Sequence, residues 1–260
     1  MVLRVLMIGD IIGRPGRRAV QQFLPGLCYD YEVNLVIANG ENCAGGIGIT
    51  SGTAKELLDC GVDVITTGNH VWAKKEIIPY MNGELPILRP LNFSPNAPGR
   101  GFLTLKGALV VNLIGRVFVG EFDCPFRAME RLLSEIEAKT KVVIVDFHAE
   151  ATSEKVAMGK YLDGKVSAVL GTHTHIGTVD AGILPKGTAY VSDVGMVGPE
   201  DSVIGVDAEA AIQAFVTGMP HRFSMGGGAV VVDAVLVEVD EATGKAISIQ
   251  RILRREESAV

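Results

Sequence analysis

The chain has 260 residues, of which 48% are hydrophobic and 21% charged, and its formal net charge is −6. This length can enclose a large hydrophobic core, and we predict a single domain over residues 1–260 because no linker or low-complexity tract divides the chain. The acidic balance and the lack of a Lys/Arg block argue against an extended nucleic-acid groove, which would need many phosphate contacts.

Short apolar runs alternate with amphipathic segments in the first third of the chain. The predicted strands are Val2–Ile8, Val33–Ala38 and Val62–Thr66, and the predicted helices run from Gly13 towards Leu24, over Thr53–Cys60 and over Ala73–Met81. Continuously apolar strands separated by helices are typical of a parallel sheet that helices cover on both faces. This part of the chain therefore predicts an α/β fold.

The middle of the chain begins with a proline-interrupted irregular segment. Gly101–Lys106 and Ala108–Ile114 then predict a hairpin around Gly107. A helix is expected over Pro125–Lys139, because its apolar residues have the spacing of one helix face: Met129, Leu132, Leu133 and Ile136. The strands expected next are Val142–Phe147 and Val166–Leu170, with a helix over Ser153–Leu162 between them.

The last third is richer in strand signals. Strands are predicted within Thr178–Leu184, Thr188–Val191, Ala229–Val239 and Ala246–Leu253, and a helix over Asp207–Thr217. The partly alternating run from Val230 to Val239 is typical of an antiparallel strand with one covered face. We therefore favour two sheets packed face to face, with helices outside, over one large sheet.

Neither membrane insertion nor secretion is indicated. No apolar run reaches the roughly 18 residues of a membrane span, and the apolar start of the chain lacks a signal-peptide cleavage pattern. The four cysteines are widely spaced and form no Cys-x-x-Cys pair, which is typical of reduced thiols. We expect a cytoplasmic protein without a membrane partner.

Polar side chains that can bind metals follow five of the predicted strands. They are Asp10; Glu41 and Asn42; Asn69 and His70; His148; and His173 with His175. Because the carboxyl ends of parallel strands share one edge, these residues predict a metal centre assembled from distant parts of one sheet. In an extended chain His173 and His175 would project to the same face about 6.5–7 Å apart, one for each of two metals.

Two metals would suit phosphoryl transfer. A pair of divalent ions about 3.5–4 Å apart can clamp the attacking and leaving oxygens, and a bridging carboxylate can hold the ions together. Taken singly, each residue also has a plainer interpretation. A lone His after a strand is often structural, Asn69 could form a turn, and Asp10 or Glu41 could cap a helix. The joint occurrence at five strand ends favours the metal centre.

The sequence blocks resemble those of the calcineurin-like metallophosphoesterases, and more closely those of the YmdB-type bacterial phosphodiesterases. The resemblance covers nearly the whole chain and rests on Gly9–Gly16, Asn39–Asn42, Gly68–His70, Asp123–Arg127, Asp146–Glu150, Gly171–His175 and Leu184–Tyr190. The broad superfamily has Asp-x-His at the first strand, where this chain has Asp10-Ile11-Ile12, and it often has Asp in the position of Glu41. The YmdB-type group shares both departures.

The resemblance implies a four-layer α/β/β/α sandwich with two mixed sheets. It also implies two divalent or mixed-valence metal ions, Fe or Mn, and assigns their ligands. Asp10, Asn42 and His175 would bind one ion, Asn69, His148 and His173 the other, and Glu41 would bridge them. A metal-bridging hydroxide would attack phosphorus, while His70 would protonate the leaving oxygen or stabilise the phosphorane.

The implied function is hydrolysis of small phosphodiesters, with 2′,3′-cyclic nucleotides as the implied substrates. A phosphomonoesterase stays open, because the sequence defines no pocket that excludes or requires a second ester group. A regulatory protein that binds metal or nucleotide with weak turnover is the other alternative. The native metal, the substrate-binding residues and a homo-oligomeric state are left open.

Overall fold

The computed structural model describes residues 1–135 and 140–256, which contain twelve strands, five α-helices and one 3₁₀ helix. The strands are β1 (Val2–Ile11), β2 (Leu35–Asn39), β3 (Val64–Thr66), β4 (Phe102–Leu105), β5 (Ala108–Ile114), β6 (Val142–His148), β7 (Ala168–Thr172), β8 (Gly182–Ile183), β9 (Ala189–Val191), β10 (Met196–Pro199), β11 (Val230–Asp240) and β12 (Ala246–Arg255). The helices are α1 (Gly13–Asp30), α2 (Ser51–Asp59), α3 (Pro125–Glu135), α4 (Thr152–Leu162) and α5 (Ala208–Thr217), and the 3₁₀ helix is Lys75–Tyr80.

The strands form two six-stranded mixed sheets. The first has the order β12-β11-β10-β1-β2-β3, with β11 also paired to β1, and the second has the order β4-β5-β6-β7-β9-β8. β1 runs parallel to β2 and β10 but antiparallel to β11. β5, β6, β7 and β9 run parallel to one another, while β4 and β8 are antiparallel edge strands.

The two sheets pack face to face between two helical layers. In β1, Val5 and Met7 belong to the core between the sheets, whereas Leu6 and Ile8 pack with residues of α1 and α2. Ile144 of β6 likewise faces the first sheet, and the preceding Val143 packs with residues of α3 and α4. Because successive side chains point to opposite faces, strands buried on both sides must be continuously apolar. The predicted four-layer α/β/β/α sandwich is confirmed.

Several predicted elements differ in detail. The helix predicted over Ala73–Met81 is a short 3₁₀ helix, and it contains Pro79, which has no backbone N–H to donate. Strand β10 was not predicted, and Thr178–Leu184 yields only the two-residue β8. The end of the helix predicted over Pro125–Lys139 lies outside the described residues. No helix among the described residues is long and apolar enough to cross a membrane.

Candidate metal centre

The candidate ligands come from both sheets. Asp10, Glu41 and Asn69 belong to or follow β1, β2 and β3 of the first sheet, whereas His148 ends β6 and His173 follows β7 of the second. The expectation of a single sheet edge is therefore wrong, although the residues do converge. The backbone N–H of His173 donates to Asp10 Oδ2 at 3.0 Å and joins the two sheets at this point.

One group of candidate ligands surrounds His148. Its Nε2 atom lies 2.9 Å from Glu41 Oε1, 3.2 Å from Asn69 Oδ1 and 3.0 Å from His173 Nδ1. Ligand atoms of Glu41, His148 and His173 all lie within 4.8 Å of one another. Ligand atoms of four residues from separate segments thus lie close together, in an arrangement that could hold a metal ion.

A second group consists of Asp10, Asn42 and His175, and Asn42 is in contact with Glu41. His175 Nε2 is 3.8 Å from Asp10 Oδ1 and 3.3 Å from Asn42 Nδ2, and Asn42 Nδ2 is 3.4 Å from Glu41 Oε1. Asp10 Oδ1 is buried and has no hydrogen-bond partner among the described residues. A buried carboxylate oxygen without a partner is costly unless a cation neutralises it. Through its contacts with His148 in the first group and Asn42 in the second, Glu41 connects both groups.

The outer nitrogen of His148 is held by a buried network. His148 Nδ1 lies 2.9 Å from Thr172 Oγ1, which donates to Asp146 Oδ1 at 2.7 Å. Thr66 Oγ1 donates to the other oxygen of Asp146 at 2.5 Å. Because the Thr172 hydroxyl donates to Asp146, its oxygen can accept a hydrogen bond from His148 Nδ1. The Nε2 lone pair of a neutral His148 then faces the centre, as metal-binding histidines require.

The other two histidines follow the same pattern. His173 Nε2 lies 3.0 Å from Glu150 Oε2, which leaves Nδ1 directed towards His148. His175 Nδ1 lies 2.9 Å from the carbonyl oxygen of Ile204, which leaves Nε2 beside Asp10. Each of the three imidazoles thus has one nitrogen beside an outer acceptor and the other directed towards the other candidate ligands, where it could bind a cation.

The buried carboxylates shift the pKa values of the centre. Burial alone would lower the pKa of His148, but Glu41 above all, with Asp10 and Asp146, raises it to about 9. Burial would raise the pKa of Glu41, but the charge and hydrogen bond of His148 lower it to about 2. Burial raises the pKa of Asp10 and brings that of Asp146 to about 6. The carboxylates of the centre therefore favour positive charge beside them.

The segment with His173 and His175 is not extended. The φ angles of these residues are 103° and 66°, in the region that favours glycine, so the predicted same-face spacing does not apply. Thr174 between them donates from its backbone N–H and its hydroxyl to Asp193 Oδ2, at 3.1 and 2.8 Å. The buried Lys155 donates to the same oxygen at 2.6 Å. Lys155 and Asp193 thus hold the strained segment in place, and neither was predicted from the sequence.

His70 lies beside the two groups of candidate ligands. Its backbone N–H donates to Glu41 Oε2 at 3.0 Å, and its Nε2 atom is 3.2 Å from Asn69 Nδ2. Its half-buried side chain lines a cavity of about 480 Å³ together with Glu41, Asn42, His173 and His175. By contrast, His221 is exposed and does not line this cavity, and its Nε2 atom lies 3.5 Å from Thr217 Oγ1. The structure therefore brings together all eight predicted site residues.

Comparison with known proteins gives one family and close relatives. The family model described as "YmdB-like protein" matches residues 6–252. A protein of Bacillus subtilis (strain 168) named 2′,3′-cyclic-nucleotide 2′-phosphodiesterase is 45% identical over 255 residues, covering 96% of this chain and 97% of the relative.

Two solved structures have the same fold along nearly their whole length. A hypothetical protein from Thermus thermophilus is 45% identical with a TM-score of 0.91, and the match covers 98% of this chain and 100% of that one. A Mycoplasma pneumoniae protein described as a novel phosphatase is 33% identical with a TM-score of 0.93, covering 100% and 95% of the two chains.

Proposed function

This chain belongs to the YmdB-like family, as its sequence blocks predicted, and on that premise we propose that it is a di-metal phosphodiesterase. Its substrates would be small phosphodiesters, first among them 2′,3′-cyclic nucleotides, the class that the name of the Bacillus subtilis relative specifies. The observation that carries the proposal is the position of Glu41, whose carboxylate contacts both groups of candidate ligands.

The donor set fits two metal ions. Asp10 Oδ1, which has no hydrogen-bond partner in the described part of the chain, and the inward imidazole nitrogens are both suited to divalent cations. Fe or Mn, as two divalent or mixed-valence ions, suit donors that include no thiolate. When bound, the ions would supply an activated water nucleophile and neutralise phosphate charge. Asp10, Asn42 and His175 would hold one ion, Asn69, His148 and His173 the other, and Glu41 would bridge them.

His70 is the proposed catalytic residue. Its side chain lines the cavity, and its backbone hydrogen bond to Glu41 fixes it relative to the centre. The contact with Asn69 couples the orientation of the His70 ring to that of a candidate ligand. From this position His70 would donate a proton to the leaving oxygen, or stabilise the charge that develops on the phosphorane.

Three wider assignments belong to the same proposal. Residues 1–260 would form a single domain, which the shared core between the two sheets supports. The protein would act in the cytoplasm, where its four free cysteines would remain reduced. It would act on small molecules without a membrane partner, either alone or as a homo-oligomer.

The test is hydrolysis by protein purified without added metal, after elemental analysis of its metal content. 2′,3′-Cyclic nucleotides are assayed beside the corresponding monophosphates, with Mn²⁺ and with a chelator. We expect the chelator to abolish cleavage of the cyclic diester and Mn²⁺ to restore it. Faster cleavage of the monoesters would favour a phosphomonoesterase instead. Binding without metal-dependent cleavage of any diester would favour a regulatory protein.

A further inference from the structure

The cavity beside the metal centre has two chemically different walls. Candidate ligands and His70 form one wall, and the other is apolar and contains Ile12, Val203, Ile204, Val206, Phe215 and Phe223. Its volume of about 480 Å³ is within the usual range for small-molecule sites, about 300–1,000 Å³. The cavity can therefore receive both the reacting ester and a sizeable group attached to it.

Hydrogen bonds to backbone carbonyls connect the apolar wall to the metal centre and connect its segments to each other. The carbonyl of Ile204, which lines the cavity, is the acceptor for His175 Nδ1 at 2.9 Å. Asp207 N donates to the carbonyl of Ser224 at 2.9 Å, which holds the neighbouring Phe223 next to residues 203–206. These hydrogen bonds connect the apolar lining residues to the segment that carries His175.

Two aromatic side chains of this wall are strongly exposed. Phe215 is 85% exposed on α5 and Phe223 is 48% exposed, although both line the cavity. Scattered exposed apolar residues need no explanation, but two aromatics converging on a candidate active site are suited to binding a ligand. An aromatic face without a cover can stack against the flat ring of a nucleobase.

The charges around the cavity favour a nucleobase over a second phosphate. Among its described lining residues there is no Lys or Arg, and the carboxylates present are Glu41 and Glu150. Further phosphates of an oligonucleotide would find no cation here except at the metal centre. The group next to the reacting ester should therefore be uncharged, flat and apolar.

We propose that Phe215 and Phe223 form a nucleobase-binding wall that makes the metal centre selective for single nucleoside 2′,3′-cyclic phosphates. This inference rests on the proposed phosphodiesterase function and names the part of its substrate that the apolar wall recognises. The two phenylalanines act in specificity, because they bind the base while the ester reacts at the metal centre.

The test compares two substrates in the Mn²⁺-loaded full-length protein. Adenosine 2′,3′-cyclic phosphate carries a base, and ribose 2′,3′-cyclic phosphate does not. For Phe215→Ala and Phe223→Ala we expect KM for the nucleotide to rise roughly 5- to 100-fold, as the loss of one stacking partner predicts. Both kcat for the nucleotide and kcat/KM for the base-free substrate should be unchanged, and Phe223→Tyr should retain the wild-type KM.

Two variants serve as matched controls. Val216→Ala alters the residue next to Phe215 on α5, which is 75% exposed and does not line the cavity. Tyr29→Ala removes an exposed aromatic residue of α1 that lines a different cavity. Both should retain the wild-type KM for either substrate.

Direct binding separates this proposal from the proposed function. Equilibrium dialysis with adenosine 3′-monophosphate should give a weaker Kd for both phenylalanine variants, whether or not the wild type cleaves either diester. If the wild type cleaves neither, the phosphodiesterase proposal fails and the dialysis still tests the wall. Unchanged KM and Kd in folded variants would overturn it. The proposal would also be overturned if the phenylalanine variants sedimented as monomers, the wild type as an oligomer, and Kd were unchanged. Phe215 and Phe223 would then form an interface with a second copy of the chain.

Discussion

Gly68→Ala tests whether the candidate ligands act as one centre. Gly68 precedes Asn69, and a Cβ atom here would lie 2.5 Å from Glu41 Oε2 and closer still to His148 Cδ2 and Nε2. Since real Cβ atoms essentially never make contacts under 3.0 Å, a neighbour must move. Both neighbours are buried and held by further hydrogen bonds, so neither can turn into solvent. The substitution should therefore separate Glu41 from His148 and disturb the contact of Glu41 with both groups of candidate ligands.

The expected losses follow from this overlap. Overpacking a filled interior costs about 1–3 kcal/mol of unfolding free energy, and a displacement of about 1 Å at a reacting centre costs about 100-fold in rate. Urea denaturation, elemental analysis and kcat/KM for a cyclic nucleotide would measure the stability, metal content and activity. Gly26→Ala is the matched control. Gly26 is an exposed position of α1, and a Cβ there meets no atom of the described residues within 4 Å, so the substitution should raise the unfolding free energy by about 0.5–1 kcal/mol. Wild-type metal content and turnover in Gly68→Ala would refute the reasoning.

Four further predictions concern single side chains. His70→Ala should lower kcat about 10²- to 10⁴-fold at unchanged metal content, as for a lost acid; equal turnover of the metal-loaded variant would exclude His70 from catalysis. Asp193→Asn leaves the buried Lys155 without its charged partner, so urea denaturation should show a loss of about 3–5 kcal/mol; unchanged stability would contradict the anchoring role. Glu150→Gln weakens the acceptor for His173 Nε2, and metal titration should show about 10- to 100-fold weaker affinity; wild-type affinity would count against this role. Burial raises the pKa of the Cys43 thiol to about 11, so mass spectrometry after labelling at pH 8 should find it the slowest of the four thiols, and rapid labelling of the folded protein would disprove this.

Elements defined by local sequence were predictable. The hairpin is predictable because Gly107 stands between two apolar runs. The structure places Lys106 and Gly107 in a two-residue turn with φ angles of 47° and 83°, a conformation that glycine favours. Strand β10 was missed because it has only four residues and is stabilised by pairing with β1 and β11, which are distant in sequence. Two sheets were expected, but which strands belong to which sheet depends on pairing between distant segments and could not be inferred from any single segment.

The candidate ligands were predictable because each follows an apolar strand and has a side chain that binds metals. The groups that hold them in place were less so. The carbonyl of Ile204 has no residue-type signal, and Lys155 and Asp193 meet only in the folded chain. The role of Asp146 could have been predicted. A carboxylate inside the otherwise apolar β6 is buried on folding and needs hydrogen-bond partners there.

The division of the ligands between the two sheets has a consequence for stability. In the proposed assignment, each metal position takes donors from the first sheet and a histidine from the second. One position combines Asp10 with His175, and the other combines Asn69 with His148. Metal ions at these positions would cross-link the edges of two sheets that are otherwise held together mainly by their shared apolar core. Because an unfolded chain has no such preformed site, binding free energy adds to folding free energy. The phosphodiesterase centre would therefore also stabilise the sandwich that builds it.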